Sequence, residues 1–231
     1  MRPQLGALQD RLDTRPVSTA AALYAGLAAV RLGGAVSDLL VVASVLLTPA
    51  VLLAVPRGSW ADVGLRRPRS GPALAAGVLA VMAAYALVVL ACVLAFGTGP
   101  DNWMSGVRTL FTGLAPGRPV LAVVTAVVCL GLLVPLAEEV CFRGVLHQAV
   151  ARRWGSGAAV LLVSAAWALV HLGDYGLRPY NGQVVAGVLP SVYVMGLALG
   201  WCRVVTGSVV ACVVAQGCAN LLLLAWVFAA T

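Results

Sequence analysis

The chain has 231 residues, of which 61% are hydrophobic and 10% are charged. A soluble globular domain carries about 25% charged residues, so the composition excludes an ordinary soluble protein. The net charge of +7 comes from fifteen basic residues, all of them arginine. These arginines are dispersed between apolar segments and form no basic stripe, which argues against a nucleic-acid partner and favours a membrane protein with a lipid bilayer around it.

Apolar segments follow one another along most of the chain, and a membrane span needs about 20 such residues. We predict an all-α, polytopic transmembrane helical bundle with seven spans. We expect no separate signal peptide, because charged residues are spread over the first seventeen positions. The predicted spans are 18–33, 36–55, 73–97, 119–141, 157–173, 183–202 and 206–229.

Two connectors divide this series of spans. The basic connector, residues 56–72, separates an N-terminal part (1–72) from a core (73–231), and together they form one membrane domain. Its arginines could meet anionic lipid head groups or lie in a solvated loop, and the sequence leaves both readings open. A second connector, 98–118, is rich in glycine and proline.

The distribution of arginines gives the orientation. With seven spans and a cytoplasmic N-terminus, eleven arginines fall on the cytoplasmic side and four on the other. The four are Arg31, Arg108, Arg118 and Arg178. This count places the end of the fourth span on the non-cytoplasmic side, although one miscounted span would invert the first half.

The two glutamates of the chain, Glu138 and Glu139, are adjacent and lie in the fourth predicted span. Carboxylates at membrane depth are costly and are by default candidates for function. Glu139 and Arg143 are four residues apart on one helix face, whereas Glu138 points about 100° away. We therefore expect Arg143 to neutralise Glu139 while Glu138 faces something else, although Glu138 could also be a packing carboxylate paired to Arg143.

Two further polar pairs with the same spacing interrupt apolar helices: Trp167 with His171, and Gln216 with Asn220. Turns predicted at 153–157 and 203–207 place His171 and the Gln216–Asn220 pair at depths similar to that of Glu138, about 16–26 Å from the turns. The three segments are therefore expected to converge. Taken separately, His171 could be interfacial, and the two amides could join helices.

Water activation is the chemistry that such a cluster supports. A carboxylate and an imidazole that share a water can take its proton and later return it to a leaving group. The amides of Gln216 and Asn220 can donate hydrogen bonds to a developing oxyanion. The residues thus predict a hydrolase for an acyl bond, most naturally a peptide bond.

The ordered motifs Glu-Glu-x-x-x-Arg (138–143), aromatic-x-x-x-His (167–171) and polar-x-x-x-Asn (216–220) resemble the CPBP family. This family contains CAAX-processing endopeptidases and bacterial immunity-type (ABI) homologues, and the likeness covers residues 119–229. The resemblance implies seven to eight spans, a multi-pass protein of the bacterial cell membrane and an intramembrane glutamate protease. It also implies that the substrate is a membrane-associated peptide or protein.

Site roles follow from the same resemblance. Glu138 would be the base and His171 its partner, supported by Glu139 and Arg143. Two positions depart from the family pattern: Trp167 stands where phenylalanine is usual, and Gln216 where histidine is usual. Glutamine can donate a hydrogen bond but cannot titrate, so activity could be reduced.

Other readings remain open. The chain could be a catalytically silent scaffold or immunity protein, for which Gln216 is the best evidence, or a transporter with a glutamate proton relay. We predict no cofactor, no metal site and no disulfide. We also expect His147 to be solvated, Asp174 and Tyr175 to be loop residues without ligand roles, and Trp167 to pack.

Overall fold

The computed structural model describes residues 16–33 and 57–230, so the predicted second span, 36–55, lies outside the described residues. Within these ranges the fold is all-α, as predicted, and contains no β-strand. The helices are α1 (Pro16–Leu32), α2 (Gly71–Phe96), α3 (Ser105–Leu114), α4 (Pro119–Val128), α5 (Val134–Glu139), α6 (His147–Val170), α7 (Gly182–Thr206) and α8 (Val209–Ala230).

Four helical segments of the described ranges are long and apolar enough to cross a membrane: Gly71–Phe96, Pro119–Gly173, Gly182–Thr206 and Val209–Ala229. The second of these has 55 residues and contains two predicted spans, 119–141 and 157–173. Helix α1 corresponds to the predicted first span and has 17 residues. The total of seven to eight spans stays a prediction.

The long segment reverses direction at Gly155. This residue has φ 83° and ψ 164° inside α6, a backbone conformation that only glycine adopts readily. Trp167 Nε1 donates a hydrogen bond to Glu138 Oε2 at 3.1 Å. In one straight helix these residues would lie about 43 Å apart. The chain therefore turns back within 153–157, as the sequence predicts.

The second predicted reversal lies between α7 and α8. Gly207 ends α7 in the left-handed region with φ 67°, and its N–H donates to Arg203 O, as is common at helix C-termini. Cys212 Sγ on α8 lies 3.6 Å from Leu199 O on α7, so the two helices run back along each other.

The outer faces of the long helices are apolar. On α2, Leu79, Leu87 and Leu94 are 66%, 65% and 78% exposed, while Val81 and Tyr85 on the opposite face are buried. Large exposed apolar surfaces of this kind face lipid in a membrane protein. The helices and their exteriors identify an integral membrane protein.

Two π-helical turns, Cys129–Leu133 and Val140–Leu146, flank the short helix α5 that carries the glutamates. Pro135 stands at the start of α5 and has no N–H, so a regular α-helical ladder cannot continue through it. Side chains from other helices satisfy carbonyls in these turns. Asn220 Nδ2 donates to Leu130 O at 2.8 Å, and Arg203 Nε donates to Arg143 O at 3.0 Å. The turns thereby attach α5 to α7 and α8.

The described part of the basic connector is bound to the core and is not a free loop. Val209 N–H donates to Gly64 O at 2.8 Å, and Arg69 N–H donates to Thr206 O at 3.0 Å. Val63 is buried, whereas Arg57 remains exposed. The connector thus packs with its middle against the α7–α8 turn and keeps some of its arginines at the surface.

Replacement of Gly155 by alanine tests the reversal. Any L side chain is strained at this φ and ψ, so Gly155→Ala should lower the free energy of unfolding by about 1–3 kcal/mol. Thermal unfolding in lipid nanodiscs measures the change.

Gly157→Ala is the matched control, because a Cβ meets open space at both glycines and only Gly155 has a positive φ. An equal effect of the two substitutions would show that the reversal does not depend on the conformation of Gly155.

Candidate functional site

Glu138 lies in the interior of the bundle and is 2% exposed. Two N–H groups, Trp167 Nε1 at 3.1 Å and Gln216 Nε2 at 2.9 Å, donate to its Oε2 atom. Its Oε1 atom lies 3.0 Å from Arg31 Nη2, but none of the described residues directs an aligned hydrogen bond at it. Oε2 is therefore held by two neutral donors. Oε1 lies beside a cation and can still accept a hydrogen bond.

Glu139 forms the ion pair that its spacing predicts. Arg143 Nη1 donates to Glu139 Oε1 at 2.6 Å, and both side chains are buried. Arg143 also donates from Nη2 to Gly196 O at 3.2 Å, which connects the pair to α7. The two neighbouring carboxylates thus have different partners, as predicted from their directions on the helix.

Trp167 joins the two acidic residues to His171. Its ring lies under the Arg143 guanidinium, with Cζ 4.5 Å from the ring centroid. Its indole also meets the His171 ring edge-on, at a centroid distance of 4.9 Å and an angle of 81°. The packing role expected for Trp167 is present, and its hydrogen bond to Glu138 is an addition that a phenylalanine could not make.

His171 directly follows α6, at its C-cap, and is partly exposed. Its Nδ1 lies 2.8 Å from Trp167 O. Because a carbonyl can only accept, Nδ1 carries the hydrogen in this contact, and Nε2 of the neutral ring is then an acceptor. Such a ring can receive a proton on Nε2 without losing its anchor.

Gln216 and Asn220 lie on the same face of α8 but contact different groups. Gln216 is 2% exposed, and its amide binds Glu138 through Nε2. Asn220 binds Leu130 O in the first π-helical turn. The predicted convergence of α5, α6 and α8 is therefore present at Glu138, Trp167 and Gln216, whereas an oxyanion role for the two amides stays a prediction.

Sequence reasoning missed Arg31 and Asp174. Arg31, at the end of α1, donates to both carboxylate oxygens of Asp174 at distances of 2.6–3.0 Å and lies against Glu138. Asp174 was expected to be a loop residue without such a role. The available signals were an arginine at the end of an apolar segment and an aspartate three residues after His171.

The expectation for His147 was wrong. Its side chain is buried, at 4% exposure, because the second π-helical turn directs this part of the chain into the bundle. Tyr175 lies in a turn, as expected for a loop residue, and its ring packs edge-on against Trp103 at a centroid distance of 5.3 Å. Burial, with the neighbouring Asp174 carboxylate, raises the pKa of the Tyr175 phenol above its usual value.

The described residues contain no group of three or more His, Cys, Asp or Glu side chains that could hold a metal ion. The acidic and basic groups of the site bind one another. The arrangement holds the Glu138 carboxylate in an apolar interior with one oxygen beside the Arg31 cation. The Trp167 indole that binds the other oxygen also contacts the His171 ring.

Residues 120–222 match the Rce1-like family, described as type II CAAX prenyl endopeptidase Rce1-like. No curated protein and no solved structure matches the chain. The matched residues contain all three polar motifs. The match supports the likeness to CAAX-type membrane proteases that the motifs indicate.

Proposed function

We propose that this protein is an intramembrane glutamate endopeptidase that cleaves a membrane-associated peptide or protein in a bacterial cell membrane. The main support for the proposal is the burial of Glu138 and the set of contacts made by its two oxygens. It is buried, its Oε2 is held by two donors, and no described residue directs an aligned hydrogen bond at its Oε1. A buried acceptor of this kind is suited to bind and activate a water molecule.

In the proposed reaction, Glu138 Oε1 takes a proton from water as the water oxygen attacks the carbonyl carbon of the peptide bond. The tetrahedral intermediate then breaks its carbon–nitrogen bond, and the amine leaves with the proton held by the carboxyl group. His171 Nε2 shares the water, or carries the proton to the leaving nitrogen. The products are a new carboxylic acid and a new amine, and Glu138 is again a carboxylate, so atoms and protons balance.

Glu139 and Arg143 have a supporting role in this proposal. Their ion pair satisfies the second carboxylate and attaches α5 to α7. Removing one partner of a buried ion pair leaves an uncompensated charge and costs about 3–5 kcal/mol. We therefore assign the pair to the stability of the site and the proton transfer to Glu138 and His171.

A second candidate function is a catalytically silent scaffold or immunity protein. It is favoured by the amide contacts, because Gln216 Nε2 is directed at Glu138 and Asn220 Nδ2 at Leu130 O. In a silent protein, Gln216 would only hold the carboxylate in place. The two functions differ in whether a peptide bond is broken and in the response to changes at position 216.

Glu138→Gln and His171→Ala should each reduce peptide cleavage by about 100-fold or more, since a positioned acid or base contributes roughly 10²–10⁴-fold. The assay is cleavage of membrane-anchored fluorogenic peptides by purified protein in liposomes. Asp62→Asn, which removes an exposed carboxylate on the connector, is the matched control and should keep full activity.

Full activity of folded Glu138→Gln would exclude this carboxylate as the base. Circular dichroism and size-exclusion elution separate loss of function from loss of fold. Cleavage that persists in both variants would place the chemistry elsewhere or in a contaminant.

The two donors to Glu138 Oε2, Trp167 Nε1 and Gln216 Nε2, can be removed one at a time. Trp167→Phe and Gln216→Leu each remove one charge-assisted hydrogen bond, worth about 1.5–3 kcal/mol, and should each lower kcat/KM by about tenfold or more. Gln216→His keeps a donor and adds a titratable ring, so its activity should equal or exceed that of the unmodified protein. The kinetics of the same peptide cleavage measure all three variants.

Activity that appears only in Gln216→His would identify the unmodified chain as a silenced protease. Undiminished activity in Trp167→Phe and in Gln216→Leu would show that these donors do not orient the reacting carboxylate.

A further inference from the structure

We infer that Arg31 is a positioning residue of the active site, supplied by a helix outside the family-matched segment, and that it acts through Glu138. Helix α1 ends at Leu32, whereas the match begins at residue 120. The inference rests on the proposed role of Glu138 and adds a requirement that the three motifs do not contain: α1 must dock for the site to be complete.

The guanidinium of Arg31 is shared by two carboxylates. Its Nε and Nη2 donate to Asp174 at 2.8 and 2.6 Å, and the same Nη2 lies 3.0 Å from Glu138 Oε1. The side chains are largely buried, with exposures of 11% for Arg31, 12% for Asp174 and 3% for Glu138. One cation therefore connects α1, the glutamate helix and the segment that follows His171.

This geometry neutralises Glu138 without filling its acceptor position. The Arg31 N–H groups align with Asp174, so Glu138 Oε1 has the positive charge nearby but accepts no aligned hydrogen bond from it. Glu139 has its own cation in Arg143, which leaves Arg31 as the cation in contact with Glu138 among the described residues. A buried carboxylate without such a partner would be strongly disfavoured.

The backbone of α1 approaches closely at this point. A Cβ on Gly173 would overlap the Arg31 carbonyl, so glycine is needed there for the contact. About two helix turns away, Tyr24 Oη donates to Ala166 O on α6 at 3.2 Å, which gives α1 a second polar contact with the core. This second contact carries no charge and provides a control for docking alone.

Two roles for Arg31 have to be separated. As a positioning residue, it holds the Glu138 carboxylate as part of an ion pair. If its role is purely structural, Arg31 only attaches α1 to Asp174, and its removal would not change the reactivity of the Glu138 carboxyl group. A readout on the Glu138 carboxyl group itself distinguishes the two and does not depend on whether a substrate is known.

The experiment is carboxyl labelling with dicyclohexylcarbodiimide, an apolar reagent that reaches groups inside membranes. It reacts through the protonated carboxyl, so a carboxylate held in an ion pair is modified slowly. The full chain in liposomes is labelled, digested and mapped by mass spectrometry. Glu139 is the internal reference, because it lies on the same peptide and keeps its own partner, Arg143.

We expect Arg31→Gln to raise the labelling ratio of Glu138 to Glu139 by about tenfold or more, as loss of a buried ionic partner implies. Arg31→Lys, which keeps a cation, should give a smaller rise. Tyr24→Phe should leave the ratio unchanged. Glu138→Gln should abolish the label at position 138 and so verify its assignment.

An unchanged ratio in folded Arg31→Gln would overturn the inference, and so would an equal rise in Tyr24→Phe, which would reduce Arg31 to a docking contact. If Arg31→Gln does not fold, Arg31→Met, an uncharged side chain of similar length, replaces it, and an unchanged ratio in that variant would overturn the inference. When cleavage is measurable, Arg31→Gln should lower kcat more than it changes KM. A labelling rise without any cleavage would support the inference and reject the proposed protease.

Discussion

The charge of Glu138 in an apolar interior is the constraint on which the other contacts of the site depend. A carboxylate at this depth is tolerated only when cations and hydrogen-bond donors surround it. Arg31 supplies the charge, and Trp167 and Gln216 supply two donors to one oxygen. Together they require helices from distant parts of the chain to meet at one point. The same contacts leave Glu138 Oε1 able to accept a further hydrogen bond, which the proposed binding of a water molecule requires.

The fold brings these helices together through local irregularities. A glycine reversal at Gly155 returns the chain past α5, and π-helical turns on both sides of α5 expose carbonyls to Asn220 and Arg203. π-Helical turns are common at functional sites because they reorient side chains at the cost of regular hydrogen bonds. Here they attach the short helix with Glu138 and Glu139 to α7 and α8. The helix that carries the glutamates is thus held by side-chain hydrogen bonds to backbone carbonyls as well as by apolar packing.

Features with a local cause could be predicted from the sequence. The Glu139–Arg143 pair follows from helix geometry, and the meeting of Glu138 with α6 and α8 follows from counting residues between turns. Arg31 could not be found in this way, because its partners depend on how α1 packs against α6. The Asn220 contact was equally hidden, since the Leu130 carbonyl is available only in a π-helical turn. His147 was assigned to solvent because its neighbours in sequence are arginines, whereas the turn before it directs it inward.

The central claim is that this chain uses Glu138 to split a peptide bond with water. The most direct measurement is digestion of a membrane-anchored peptide library by the reconstituted protein in heavy-oxygen water, with the products read by mass spectrometry. We expect a restricted set of cut sites, each with one heavy oxygen in the new carboxyl terminus, and we expect these products to be lost with Glu138→Gln. Cut peptides that lack heavy oxygen, or products that persist in folded Glu138→Gln, would contradict the claim.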